Sequence, residues 1–400
     1  MALIDLWKTN KAELDEKKLQ QIIAISGDGR LTNDSTASRE FRDFLRIVPS
    51  EKLSEYAQQC LGNHFDQSGL ALQDIVNEIG RRLGFVVTEG LYRGKRGVSG
   101  HDGLWTLKNG RKIVIEVKTT DAYAIDLDTI AEYRRILARD GLITLEETSL
   151  LLIVGRKDTG GLEAQIRGSQ YAWDMRLISI DALIRLMKVK ETLEDPKTVS
   201  QISDILVPKE FTKVDGIIDL VFITAEEVAT ADEATPESED ALLHPEPLAH
   251  PKKFIPVNFH KKCVERIQQF LGSPLVKESR TSYTAPDTNL RVVVAVSKAH
   301  GTSKARAFWF AFHPHQRDFL KQSPEAKLAL GCGSENVIFL IPFSVLEPHL
   351  NDTWTTQRED RMYWHIHIEL RHNKYYWTLR KGIQKLLIDD YLLPVSKSSQ

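Results

Sequence analysis

The chain has 400 residues, 42% of them hydrophobic, and a formal net charge of −2. That length allows two or three domains, and the apolar share excludes wholesale disorder. No apolar run approaches the ~18–20 residues of a membrane span, residues 1–20 lack the order of a signal peptide, and Cys60, Cys263 and Cys332 are far apart with no CxxC. A cytoplasmic protein without disulfides, zinc ribbon or membrane partner is expected.

Residues 1–69 read as a mostly helical N-terminal region. Ser50-Glu51-Lys52-Leu53 offers a capped start, with Leu53, Tyr56, Ala57 and Leu61 on one face. Residues 70–190 alternate helix and strand signals, as an α/β domain does. Leu72, Ile75, Val76, Ile79 and Leu83 form a helical stripe ended by Gly84, and a strand is expected at Phe85-Val86-Val87. The pattern then predicts a Gly-rich stretch over 94–103, a hairpin, a helix over 125–139, a buried strand at Leu150–Val154, and a strand then helix over Ile178–Lys188.

Residues 191–224 read as an extension. Residues 225–254, rich in Ala, Pro and Glu, cannot form a core and read as an acidic flexible linker. After it, 255–395 is expected to be a separate α+β domain. It has a helix at 259–271, strands at 291–297, 306–312 and 337–341, the run WHIHIEL, and a helix around 380–391. Formal charge is −8 over 225–250 and +9 over 251–400, and the latter stretch holds four of the seven Trp. Such a segment can attract a polyanion and stack on bases; a solvated basic surface is the plain alternative.

The sharpest feature is GHDGLWTLKNGRKIVIEVKTT, residues 100–120. Lys112–Val117 reads as a strand paired with Leu104–Leu107 across a turn at Lys108-Asn109-Gly110. Glu116 and Lys118, two apart, share a strand face. A two-residue Asn-Gly loop would set Asp102 opposite Val117, on the wrong face. A three-residue loop with Gly110 left-handed pairs Leu107 with Arg111 and brings Asp102 to Glu116, as would a bend near Gly103. Two such carboxylates can hold Mg²⁺, which prefers oxygen ligands, polarises a phosphodiester and lowers the pKa of a bound water. Lys118 adds positive charge where negative charge develops.

Asp102…Glu116-Val117-Lys118 resembles the PD-(D/E)XK motif of restriction-endonuclease-like nucleases, and the preceding helix–strand–turn–strand order fits that family over residues ~70–190. The resemblance implies a restriction-endonuclease-like core, a mixed central sheet flanked by helices. It also implies catalysis by Asp102, Glu116 and Lys118, metal held by Asp102, Glu116 and the Val117 carbonyl, and Mg²⁺ as cofactor with Mn²⁺ able to substitute. His101 stands where the family's proline would be. Gln73 stands where related enzymes carry a glutamate in the first helix; it can accept a hydrogen bond from a metal-bound water but adds no charge. Glu78, about one turn on, is either a substitute acid or a solvated helix face.

Tyr133, Arg134 and Arg135 suit phosphate contact or an ordinary charged helix surface. Gln165 and Arg167 would share a strand face and reach substrate. His365 and His367, with Tyr363 and Glu369, alternate on a strand, and His313 and His315 form HPH; zinc or copper is a minor reading beside plain sheet histidines. The function expected is a Mg²⁺-dependent DNA endonuclease, homodimeric and acting in restriction or anti-phage defence, with the C-terminal domain as a recognition or sensing module and defence proteins as further partners. The alternatives are a catalytically silent, nucleic-acid-binding scaffold or complex subunit, and an RNase activated by a partner.

Overall fold

The computed structural model describes residues 3–62, 65–94, 97–119, 125–155, 160–193, 201–202, 204–207, 256–302, 305–357, 362–380 and 383–394. The expected linker at 225–254 and most of the 191–224 extension lie outside these residues. The chain divides into two compact units, Met1–Thr224 and Ala225–Gln400. Among the described residues no helix is long and apolar enough to cross a membrane.

The first unit is mixed α/β. Helices α1 (Leu3–Thr9), α2 (Lys11–Asp15), α3 (Leu19–Ala24), α4 (Thr36–Ile47), α5 (Ser50–Gly62) and α6 (Ser68–Arg82) precede strand β1 (Val86–Glu89) and the hairpin β2 (Gly103–Thr106) and β3 (Lys112–Lys118). There follow α7 (Leu127–Arg139), β4 (Thr148–Val154), α8 (Gly160–Arg167), β5 (Met175–Ser179) and α9 (Ile180–Lys190). The strands lie in the order β1-β2-β3-β4-β5, antiparallel from β1 to β3 and parallel from β3 to β5.

Strand alternation divides the core in two. Ile113, Ile115, Leu151 and Ile153 face a cluster with Trp105, Leu72, Ile75, Ile79 and the helices of residues 3–62, while Val114, Leu150, Leu152 and Val154 face α7 and α8 through Ile130, Leu137, Leu162 and Ile166. The N-terminal helices and the α/β part therefore share one core. A buried ion pair, Arg82–Glu78 at 3.0 Å, fastens them: Arg82 also donates to Ser50 Oγ and to the carbonyls of Leu45 and Val48.

The expectation that Gln165 and Arg167 share a strand face is corrected here. Gly160–Arg167 is helical, with Leu162 and Ile166 buried four apart. On a helix, residues two apart diverge.

In the second unit, α10 (Pro256–Leu271) covers one face of a sheet ordered β12-β11-β8-β7-β6, made of β6 (Val276–Lys277), β7 (Ser282–Ala285), β8 (Leu290–Ser297), β11 (Lys327–Cys332) and β12 (Ile338–Pro342). Its other face meets a six-stranded sheet of β9 (His300–Thr302), β10 (Ala305–Phe312), β13 (Trp354–Gln357), β14 (Met362–Arg371), β15 (Lys374–Thr378) and β16 (Leu386–Leu387). Phe308, Phe310, Ile366, Ile368 and Trp377 from this sheet pack on Val293, Leu330 and Phe339. The helix expected around 380–391 does not form among the described residues. Leu386 and Leu387 pair with β15, and Asp389–Tyr391 is a single 3₁₀ turn. Tertiary pairing with Trp377 and Tyr376 overrides the local pattern.

Candidate active site

The hairpin takes the three-residue loop. Leu107 N–H donates to the Arg111 carbonyl at 2.8 Å, Gly110 N–H returns to the Leu107 carbonyl at 3.0 Å, and Gly110 has φ +87°. The register sets Thr106 opposite Lys112 and Gly103 opposite Ile115. At Asp102 the chain bends out of the ladder, its N–H donating to the carbonyl of Ile115, the residue Gly103 already faces. The ladder donor that β2 leaves on Val117 is taken by the side chain instead: Val117 N–H donates to Asp102 Oδ2 at 2.7 Å.

Helix α6 fixes that bend. The Asp102 carbonyl oxygen accepts three hydrogen bonds, from Gln73 Nε2 at 3.0 Å, Asn77 Nδ2 at 2.9 Å and Gly90 N–H at 3.0 Å. Asn77 Oδ1 also accepts from Trp105 Nε1 at 2.9 Å. The approach is so close that a Cβ on Gly103 would lie 2.2 Å from Asn77 Oδ1.

On β3, Glu116 is buried and its Oε1 is ion-paired with Lys118 Nζ. Burial raises the Glu116 pKa and Lys118 opposes that rise. Burial alone would lower the Lys118 pKa, but Glu116 and then Asp102 outweigh it, so the ammonium is held above its ordinary value. Asp102 is pushed up to about 7, by burial first and by the negative charge of Glu116 second, with the Val117 hydrogen bond and Lys118 acting the other way. Two carboxylates thus compete for one weakly compensated volume.

Glu116 Oε2 is buried and, among the described residues, without a hydrogen-bond partner. An orphaned anionic oxygen beside a second carboxylate is the donor set a hard cation completes. Among the described residues no cluster of three or more His, Cys, Asp or Glu forms. A carboxylate pair is a donor set that suits Mg²⁺, which binds through one or two carboxylates and keeps several waters.

The remaining candidates divide. Tyr133 of α7 lies over the approach to the site: a Cβ on Gly100 would sit 3.1 Å from its ring and hydroxyl, and the charges of Glu116, Lys118 and Asp102 all act on it. Burial, then Glu116, raises its pKa, so the phenol stays a neutral donor. Arg134 is occupied elsewhere, donating to the Leu145 carbonyl and pairing with Asp174 at 2.7 Å; Arg135 pairs with Glu132 at 2.7 Å. The phosphate contact expected of Arg134 is thus replaced by a structural tie. Gln165 clasps the backbone of Ile125 through both amide atoms, at 3.1 and 2.5 Å, and Arg167 is exposed.

Glu78 is not a solvated face: it is buried against Arg82 and also pairs with Arg81 at 3.4 Å. Gln73 donates its amide N–H to the Asp102 carbonyl, a bond that leaves its Oε1, the atom expected to accept from a metal-bound water, unengaged.

Asn77 is the residue the sequence reading missed. Its signal was there: it follows Gln73 by four positions, one helical turn, as a second amide on a face of α6 that is buried throughout. Asp74 was missed as well. It is buried with Arg42 Nε at 2.9 Å and the Tyr92 hydroxyl, and burial, countered by Arg42, pushes it up to about 6. Buried His101, with Nδ1 2.9 Å from Ser99 Oγ, is pushed down to about 4 and is neutral at pH 7.

Compared with known proteins, the chain matches no family model and no curated protein.

Proposed function

We propose that this chain is a Mg²⁺-dependent DNA endonuclease with a restriction-endonuclease-like core, in which Mn²⁺ can substitute. The observation that carries the reading is the orphaned, buried Glu116 Oε2 beside Asp102, with the Lys118 ammonium on the same strand face. The PD-(D/E)XK-like spacing of Asp102, Glu116 and Lys118 supports it. Asp102 and Glu116 would hold the ion, with the Val117 carbonyl as the third ligand that the resemblance implies. When bound, the ion polarises the phosphodiester and lowers the pKa of a bound water. Lys118 places fixed positive charge at the attacking water and the scissile phosphate, where it stabilises developing negative charge. Tyr133, neutral and overhanging the site, donates to a phosphate oxygen. Gln73 and Asn77 hold the Asp102 backbone so that its carboxylate stays on the Glu116 side. A homodimer would supply one such site to each DNA strand, and restriction or anti-phage defence is the biological setting by analogy alone.

The test is cleavage of supercoiled plasmid with Mg²⁺, Mn²⁺ or EDTA, beside Asp102→Ala and Lys118→Ala. Metal-dependent nicking that both substitutions abolish is expected. Cleavage that survives both would overturn this site.

A second reading, a silent nucleic-acid-binding scaffold, is favoured by one observation. The position of the family's helix glutamate is an amide, Gln73, tied to the Asp102 carbonyl. Salt-sensitive DNA binding without cleavage in either metal would select it.

A further inference from the structure

The second unit carries a ring ladder on the outward face of its six-stranded sheet, opposite the face that builds the core. On β14, Trp364, Ile366 and Ile368 are buried, while Tyr363, His365, His367 and Glu369 point the other way and are only part-covered. Trp309 lies opposite His367 on β10, and Trp354 opposite His365 on β13. The rings are contiguous. Trp354 meets His367 at 5.4 Å between centroids, His367 stacks on His365 at 5.9 Å, and His365 meets Trp309 at 5.6 Å and Tyr363 at 5.0 Å. Tyr363 continues to His313 at 5.5 Å.

The hydrogen bonds decide what these histidines do. Trp309 Nε1 donates to His365 Nδ1 at 2.9 Å, so Nε2 carries the proton and donates to Thr356 Oγ1 at 2.7 Å. Both nitrogens are used, and His365 has no lone pair for a metal. Burial keeps His365 below the ordinary imidazole range, and burial first, then His365, pushes His367 down to about 4. At pH 7 both are uncharged π surfaces, and because His365 is engaged at both nitrogens the two histidines do not form a ligand pair, which favours stacking.

Charge names the occupant. Arg371 continues the same face of β14, and Lys374 lies opposite it on β15. Lys385 joins them by pairing with Glu369 at 2.6 Å, and Arg371 pairs with the same carboxylate at 2.8 Å. Two cations therefore share one carboxylate at the end of the ladder and Lys374 lies opposite one of them, in a stretch, 251–400, with 22 Lys and Arg against 13 Asp and Glu. A duplex hides its base faces, whereas a single strand offers them together with its phosphates. We propose that this face binds single-stranded DNA, with unpaired bases stacking on Trp354, His367 and Trp309 and the backbone running toward Arg371, Lys374 and Lys385. The choice of DNA rests on the endonuclease reading; the choice of a single strand rests on the ladder.

The test is fluorescence anisotropy of the full chain in EDTA with a labelled oligothymidylate of about 12 nucleotides, inside the ~4–16 nucleotide span of stacking modules. A duplex of equal length and an oligouridylate serve as competitors. The single DNA strand should bind in preference to both, and Trp354→Ala should weaken it by roughly tenfold, the loss of one stacked base. Trp354→Phe should lose less, and His367→Ala should weaken it while leaving the melting curve in place. A plasmid assay that fails beside a titration that still depends on Trp354 overturns the endonuclease reading alone, so the two failures are distinguishable. Equal or tighter binding of the duplex or of oligouridylate, or affinity indifferent to Trp354 and His367, would overturn the proposal.

Discussion

Asn77 donates from its side-chain amide to the carbonyl oxygen of Asp102 at 2.9 Å, across 25 residues of chain. One helix side chain thereby sets where a carboxylate on a neighbouring hairpin points. Asn77→Ala should remove this bond and leave Trp105 Nε1 buried without an acceptor. A loss of ~1–3 kcal/mol in denaturant-derived stability is expected, the cost of orphaned buried groups. If the proposed activity holds, cleavage by the folded fraction should fall too. Stability equal to that of the parent chain would remove Asn77 from the scaffold of the site.

Asp102 gives the metal-free protein a defined pH dependence. Its folded pKa, about 7, lies above the ordinary 3.8. The folded state therefore keeps a proton that the unfolded state releases, and this contribution is full below about 4 and lost as pH rises through about 7. In EDTA, the melting temperature of the parent chain should fall relative to Asp102→Asn between those limits. Mg²⁺ affinity should rise over the same range, because the ion must displace that proton. Parallel melting profiles for the two proteins would refute the assignment.

Lys118 is part-exposed and is ion-paired with Glu116. Lys118→Ala should still fold, at a cost above the ~0–1 kcal/mol of an exposed pair and below the ~3–5 kcal/mol of a fully buried one, because it leaves the buried Glu116 without its cation. Plasmid cleavage should drop by at least ~100-fold, the scale for removing a group that stabilises transition-state charge. Unfolding of the variant would mean that Lys118 is a structural residue.

Glu78 separates a structural acid from a metal acid. Glu78→Gln would strip a buried Arg82 of its carboxylate, and breaking such a pair costs ~3–5 kcal/mol. Urea unfolding should show that loss, while Mg²⁺ affinity of the folded fraction stays unchanged. A weakened metal affinity without loss of stability would place Glu78 at the ion instead.

The hairpin was the most legible part of the chain. Alternation over Lys112–Lys118, the Asn-Gly turn and the parity of Asp102 and Glu116 narrow the register to two, and the Leu107–Arg111 hydrogen bond selects the three-residue one. Helices with clear apolar stripes, such as α6 and α7, are equally readable. Gln165 was misread because Leu162 and Ile166, its helical signal, are only two apolar positions in a polar stretch. The 380–391 segment was misread because Leu386 and Leu387 suit either state, and the edge of β15 settled the matter.

The sequence by itself determined which chemistry-bearing groups the chain owns and which of them share a strand face, because side-chain parity follows from local backbone geometry. Tertiary structure alone decided what those groups are free to do. Arg134 and Glu78 look available in sequence but are taken by Asp174 and Arg82, while Glu116 Oε2 is left without a partner among the described residues. The reason is physical. A buried polar atom must find a partner, and which partner lies within about 3 Å is set by elements far apart in the chain.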